Sequence, residues 1–382
     1  MKFFGMKMIV AVSLACMLAV PGAWAKTIKL GAVLAVTGGA SFLGGPEART
    51  LEMLVAEQNA KGGIKGDKIE MIIKDTAGSP EKAVSFAKQL IEEDHVVAII
   101  GPSTSGETMA LKKIAENAKT PLVSCAAAEV IINPVAKYVF KTPQNDSFAA
   151  ERIFQEMNKM KISKVAVLSG NTGFGHAGKG QLEKYAPKFG IKIVENEVYD
   201  KAATDLSAVI AKIKANPEVQ AVINWSIVPA QAIVAKNMRQ AGWNVPLFQS
   251  HGYGNIKYVQ AGGVASNGII FPAGRLLVAD MLPDSNPQKA LLVKYVKDYE
   301  GKYKETASTF GGHAYDAFKI LVKAIEMVGP NRDKIPGAIE HIKNFPGTGG
   351  VFNFSPENHN GLSIDAFEMM TVKDGKFVPY TK

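Results

Sequence analysis

Three hydroxyl residues in a row, Ser103, Thr104 and Ser105, stand between an apolar run and an amphipathic one, and side-chain chemistry concentrates there. The run Val96-Val97-Ala98-Ile99-Ile100 is unbroken and rich in β-branched residues, the pattern of a buried parallel strand. Gly101-Pro102 ends it, because proline has no N–H to give to a ladder. From Glu107 to Ala115 the apolar positions recur at helical spacing, with Met109 or Ala110 and then Ile114 on one face. Ser105 is therefore expected at the N-cap of a helix. Free backbone N–H groups, hydroxyls and the positive end of a helix dipole would meet at the C-terminal edge of a strand. Such a place suits a carboxylate or phosphate without any charged side chain. A plain capping box with no ligand is the other reading of the same residues.

Other chemistries find less in the sequence. Gly173-Phe174-Gly175-His176-Ala177-Gly178 satisfies G-x-G-x-x-G between a strand and a helix, and Lys179 makes it nearly a phosphate loop. Gly180 stands where a serine or threonine would bind magnesium. A dinucleotide fold also puts its first glycine almost directly at the strand end, whereas here loop residues intervene, so the segment reads as a glycine-rich lid. The histidines, His95, His176, His251, His313, His341 and His359, form no H-E-x-x-H and share no helix face with a carboxylate, so no metal site is expected. Ser103 lacks the glycine of a nucleophile elbow and Ser105 has no visible base partner, so an enzyme is not expected, nor a cofactor.

Elements must hold these residues, and 382 residues are too many for one ordinary core. Lys2 and Lys7, the apolar run from Met8 to Val20 and the triplet Ala23-Trp24-Ala25 have the order of an export signal, with cleavage after Ala25. The run is shorter than the ~20 residues that span a bilayer. Cys16 could carry a lipid, but Ser13 stands where such sites normally want leucine. Without Lys2 and Lys7 the formal charge falls from +9 to +7. The lysines left are scattered beside glutamates and not interleaved with aromatics, so nucleic acid is not implied. Only Cys125 remains past the leader, which excludes an internal disulfide and a thiolate metal site.

Apolar strands alternate with amphipathic helices. Strands are expected over residues 28–36, 68–74, 96–100 and 121–125, with helices over 47–60, 80–93 and from 107. The order implies a parallel sheet covered on both faces. Near residue 144 the pattern restarts: helix 147–160, strand 164–168, a glycine-rich loop and helix to 189, strand 191–198, helix 205–215, strand 219–224, helix 229–241, and strands 246–249 and 267–271. Helices follow over 288–301, 308–328 and 333–344, and the tail reads as a hairpin turning at Asp374-Gly375. Restarts near 144, 273 and 350 imply a chain that crosses between two lobes three times, a connection that lets the lobes open and close.

The segment Asn59-Ala60-Lys61-Gly62-Gly63-Ile64-Lys65-Gly66, together with Thr37-Gly38, Asp75, Ala98-Ile99-Ile100-Gly101, the strand end at residues 124–128, Asp205-Leu206-Ser207 and Ala314-Tyr315-Asp316-Ala317, resembles the periplasmic substrate-binding proteins of branched-chain amino acid ABC transporters. The likeness runs over nearly the whole chain beyond the leader. It implies a two-lobed type I binding protein of the α/β class, each lobe a mostly parallel sheet with helices on both faces. Residues 26–144 and 275–350 would form one lobe, residues 145–274 and 351–382 the other. It implies a monomer in the periplasm that closes on a small carboxylate ligand and docks on membrane permease subunits; a sensor that presents the closed form to a receptor is the alternative.

The family's ligand shell is carried over position by position. Ser105 matches the hydroxyl that binds the α-carboxylate, with Thr104 beside it. Ala126 matches a carbonyl that meets the α-ammonium, and Ala128 a position usually occupied by threonine or serine. Phe174 matches an aromatic residue that closes from the second lobe. His251 falls where an acidic residue usually faces the ammonium. Phe42 is expected near the ligand, and Trp225 is open to two readings, ligand wall or core packing. Ala128 lacks the hydroxyl and His251 the carboxylate, so ammonium recognition looks lost while carboxylate recognition stays. An apolar or aromatic carboxylate is the expected ligand; an amino acid, its ammonium met by an acidic residue from another position, is the alternative.

Overall fold

The computed structural model describes residues 26–381 together with Met1; the expected export signal and Cys16 lie outside the described residues. Two sheets organise the chain. The first contains β1 (Thr27–Leu34), β2 (Lys68–Asp75), β3 (Ile99–Ile100), β4 (Leu122–Ser124) and β5 (Val139–Lys141), in the order β2-β1-β3-β4-β5. All its ladders are parallel. Side chains of β1 alternate between two cores, as a strand covered on both faces must. Leu30, Ala32 and Leu34 pack with Leu51, Leu54, Phe318 and Leu321, whereas Val33 packs with Ala87, Leu90 and Leu111. These partners come from α1 (Ser41–Ala60), α2 (Pro80–Glu92) and α3 (Ser105–Asn117), and from a later helix described below.

The second sheet takes β6 (Lys164–Gly170), β7 (Lys192–Tyr199), β8 (Ala221–Trp225), β9 (Leu247–Gln249) and β10 (Ile270–Ala273) as parallel strands. Around it lie α4 (Asp146–Lys159), α5 (Gly173–Tyr185), α6 (Ser207–Lys214), α7 (Gln231–Gln240) and α8 (Ile256–Gly262). The chain then returns to the first sheet with α9 (Lys289–Tyr303), α10 (Thr309–Val328) and α11 (Ile335–Glu340), and makes a two-stranded ribbon, β11 (Phe345–Pro346) and β12 (Val351–Phe352). It ends on the second sheet as the hairpin β13 (Glu368–Lys373) and β14 (Lys376–Pro379), with β13 antiparallel to β10. Asp374 and Gly375 turn it with φ of 51° and 74°, the pair of positive values that a two-residue hairpin loop needs. No described helix is long and apolar enough to cross a membrane.

Two expectations shift. The helix expected from residue 47 begins at Ser41 and runs through Gly44-Gly45-Pro46, which the sequence had suggested as loop. Gly44 permits this, because a Cβ there would fall 2.2 Å from the Ala35 backbone; only a bare backbone can pack α1 so closely on the end of β1. The third crossing comes later than residue 350. Phe352, Phe354, Leu362 and Ala366 pack in the first sheet's core with Phe140 and Phe318, and only with β13 does the chain reach the second sheet. Buried amides tie the first crossing and the start of α9 to the loop between β11 and β12: Gln144 Nε2 donates to Gly349 O at 2.7 Å and Gln288 Nε2 to Gly347 O at 2.8 Å.

Candidate functional site

The C-terminal ends of the parallel strands of both sheets converge on one cavity, the location that open α/β sheets favour for ligands. Ser103, Ser105, Cys125, Ala126 and Ala127 line it from the ends of β3 and β4, and Leu43 from the start of α1. Phe174, Ile227, His251 and Gly252 face them from the second lobe, with Pro143, Phe310 and His313 closing the hinge side. Counted together with its opening to solvent, the space between them is about 320 Å³. The cleft is closed: Asn255 Nδ2 of the second lobe donates to Phe42 O at 2.8 Å, and Gln181 Nε2 to Glu129 Oε2 at 3.1 Å.

Thr104, not Ser105, is the N-cap of α3. Its backbone is extended (φ −113°, ψ 150°), its Oγ1 accepts from Glu107 N–H at 3.3 Å, and it donates to Glu107 Oε2 at 2.6 Å. The capping box thus occupies Thr104, and Ser105 becomes the first helical residue. Ser105 Oγ accepts the N–H of Ala128 at 3.3 Å, leaving its own proton to donate into the cavity. Ser103 Oγ is spent on the fold: it accepts the Ala35 N–H at 3.0 Å and donates to Glu47 Oε2. Burial pushes the Glu47 carboxyl up to about 8 against the pull of the Ser103 hydroxyl, so no charge stands behind this wall at neutral pH.

Of the residues expected at the site, Ser105, Ala126, Phe174 and His251 come together around the cavity. Four do not line it. The Phe42 ring packs against Tyr258 at a centroid distance of 5.2 Å, and its neighbour Leu43 takes the place on the wall. Thr104 is occupied by the cap. Ala128 belongs with Leu111 and Leu122 in the core of the first lobe, so its missing hydroxyl does not decide what the cavity binds. Trp225 is fully buried behind Phe174 and His251, at 5.8 and 5.7 Å, with its indole against Gly178 of α5. Sequence reasoning missed Cys125, Phe310 and His313. A histidine in the apolar repeat of α10 gives no signal of its own, and only the fold brings that helix to the cavity.

Neither imidazole at the cavity carries charge. Burial holds His251 well below its ordinary value, and burial together with the nearby Lys141 ammonium pushes His313 down to about 3. Lys141 is itself fully buried, its Nζ donating to Pro143 O at 2.8 Å. A histidine that is neutral when folded and ionises near 6.5 when unfolded loses stability as pH falls. The unfolded chain takes up its proton first, so the loss begins near pH 6.5 and continues toward about 3. Melting temperatures measured from about pH 7 to about pH 4 should therefore fall, and fall less steeply in His313→Phe.

The sequence model of the family described as periplasmic binding protein matches residues 27–376. The Leu/Ile/Val-binding protein homolog 7 of Brucella melitensis is 25% identical over 97% of this chain and 96% of its own length. An extracellular ligand-binding receptor from Rhodopseudomonas palustris superposes with a TM-score of 0.87 at 27% identity, over 92% of this chain and 99% of that one. The branched-chain amino acid transporter substrate binding protein of Streptococcus pneumoniae, solved in complex with isoleucine, superposes with a TM-score of 0.82 at 26% identity, over 92% and 98%. Two parallel sheets with helices on both faces, a closed cleft at their strand ends and a family match across both lobes give one conclusion: the chain belongs to the periplasmic binding proteins, in their two-lobed type I form, a family of substrate-binding proteins and not of enzymes.

Proposed function

We propose that this chain is the solute-capturing component of an ABC importer in the periplasm, and that it takes a small organic acid, aliphatic or aromatic, rather than an amino acid. One chain supplies both walls of the cleft, so it acts as a monomer and offers the closed form to membrane permease subunits. The observation that carries the reading is Ser105. Its free hydroxyl proton and the first amides of α3 point an uncharged set of donors at the cavity, which is what a carboxylate needs. The lining residues include no aspartate or glutamate, so an α-ammonium buried there would have no counter-charge. Leu43, Ile227, Phe174 and Phe310 supply an apolar body around the carboxylate end. Two of the relatives named above carry branched-chain amino acids in their names; the histidine at position 251 is where this chain departs from what the resemblance implies.

A thermal-shift panel followed by calorimetry tests this. Aliphatic or aromatic carboxylates should raise the melting temperature. Ser105→Ala should weaken the bound acid roughly tenfold, the loss of one hydrogen bond to a charged group. Stabilisation by leucine or valine and by no acid lacking an ammonium would overturn the choice of ligand.

A further inference from the structure

Two imidazoles from opposite lobes face the closed cavity with nothing to bond to. His251 follows β9 in the second lobe; both its ring nitrogens are buried and unpartnered, and the residue is 7% exposed. His313 lies near the start of α10, packed on the first lobe; its Nδ1 is buried and unpartnered, and the residue is 6% exposed. Buried polar groups are ordinarily paired, and a histidine kept without a partner in a ligand cavity is waiting for one. The rings of Phe174, Trp225 and Phe367 surround His251 at centroid distances of 5.3, 5.7 and 5.4 Å, an apolar box that holds the imidazole neutral.

A neutral imidazole offers one N–H and one bare nitrogen, whichever tautomer it adopts. A pair of them is best satisfied by a group that both gives and accepts a hydrogen bond and carries no charge. An ammonium only donates and brings a charge that no lining residue balances. A carboxylate only accepts, so it leaves the bare nitrogens unmet. A hydroxyl does both: it donates to the bare nitrogen of one ring and accepts the N–H of the other. We infer that the ligand is a hydroxy acid, an alcohol or phenol bearing a carboxylate, with its hydroxyl held between His251 and His313 while the carboxylate sits on Ser105. This rests on the reading of Ser105 given above and names the second recognition point of the same site.

The test is a series in which one substituent changes on a fixed skeleton. Calorimetry on the purified protein would compare 4-methylpentanoate with its 2-hydroxy and 2-amino counterparts, and benzoate with its 3- and 4-hydroxy derivatives. On at least one skeleton the hydroxy acid should bind tenfold or more tightly than the unsubstituted acid, about 1.4 kcal/mol, and more tightly than the amino acid. His251→Phe and His313→Phe, each checked for folding by circular dichroism, should each cut the ratio of hydroxy-acid to unsubstituted-acid affinity to threefold or less. Equal binding of hydroxy and unsubstituted acids would overturn the inference and leave the carboxylate reading standing, as would tightest binding by leucine among the aliphatic set if Ser105→Ala still weakens it. If no acid binds and Ser105→Ala changes nothing, the carboxylate reading fails and takes this inference with it.

Discussion

Gly173→Val should weaken ligand binding by ten- to a hundredfold and leave both lobes folded. Gly173 is the first residue of α5, capped by Thr172, whose Oγ1 accepts the Gly175 N–H at 3.0 Å. It lies in the second lobe but touches the first: a Cβ built on it would fall 2.8 Å from both Gly106 Cα and Gly106 N and 3.5 Å from Ser105 C, all in the opening turn of α3. Those three nearest atoms all belong to the first lobe, and its φ is not left-handed, so the tightest clash is between lobes and the backbone itself tolerates a side chain. The clash is relieved by moving one lobe away from the other, a motion the crossings allow. A misfit of this kind usually costs about 1–3 kcal/mol, and here it falls on the closed state alone, which converts to the fold-change given. Gly180→Ala, on the same helix with open space around it, is the control and should bind as the parent does. Calorimetry gives the affinities, and small-angle scattering of the variant with ligand should stay at the open dimensions. Unchanged affinity in Gly173→Val would mean that Gly106 and Gly173 do not meet when ligand is held.

If the chain takes an anion as proposed, the same contact would couple ligand to closure. The N-termini of α3 and α5 are brought together at Gly106 and Gly173, so the positive ends of two helix dipoles approach each other from opposite lobes. Their mutual repulsion opposes closure, and an anion between them removes it. The free energy of binding therefore enters where the lobes meet, which is what a ligand must do to shift an open–closed equilibrium.

Periodicity carried most of the fold. Parallel strands buried on both faces leave long β-branched runs, and the helices between them leave clear apolar stripes, so the alternation of β1 to β4 with α1 to α3 could be read directly. Very short elements could not: β5 spans Val139–Lys141 and gives no pattern. The sequence also assigned Gly44-Gly45-Pro46 to a loop, because the packing that makes glycine useful there involves Ala35, a long-range contact. At the cavity, Ser105, Ala126 and His251 follow strand ends, positions that the topology itself aims at the cleft. A phase error of one residue exchanged Phe42 for Leu43 and Ser105 for Thr104 as cap. His313 was invisible because its role depends on how α10 crosses to the cavity, and no spacing in α10 records that.

Asp316→Ala should lower the unfolding free energy by about 2–4 kcal/mol, the cost of leaving several buried donors without an acceptor. Asp316 is fully buried on α10, and its carboxyl group accepts three hydrogen bonds from the loop between β11 and β12: Thr348 N–H at 2.6 Å and Gly349 N–H at 2.7 Å, with Thr348 Oγ1 at 3.0 Å. Gly347 must lack a side chain for this approach, because a Cβ there would fall 2.5 Å from Asp316 Oδ1. Alanine would leave two backbone N–H groups and a hydroxyl buried without acceptors, each a loss of about 1–3 kcal/mol that is not fully additive. The first crossing and the start of α9 depend on the same loop, since Gln144 and Gln288 donate to the carbonyls of Gly349 and Gly347. Freeing residues 347–349 thus loosens the first crossing and the anchorage of α9, and the variant should lose ligand affinity together with stability. Asp316→Asn keeps the shape and one acceptor but turns an N–H toward a donor, so it should fall between the parent and the alanine variant. Urea unfolding measures all three. A midpoint for Asp316→Ala equal to that of the parent would show that water satisfies the loop as well as the carboxyl group does, and that the hinge is held by the packing of Phe352 and Leu362 alone.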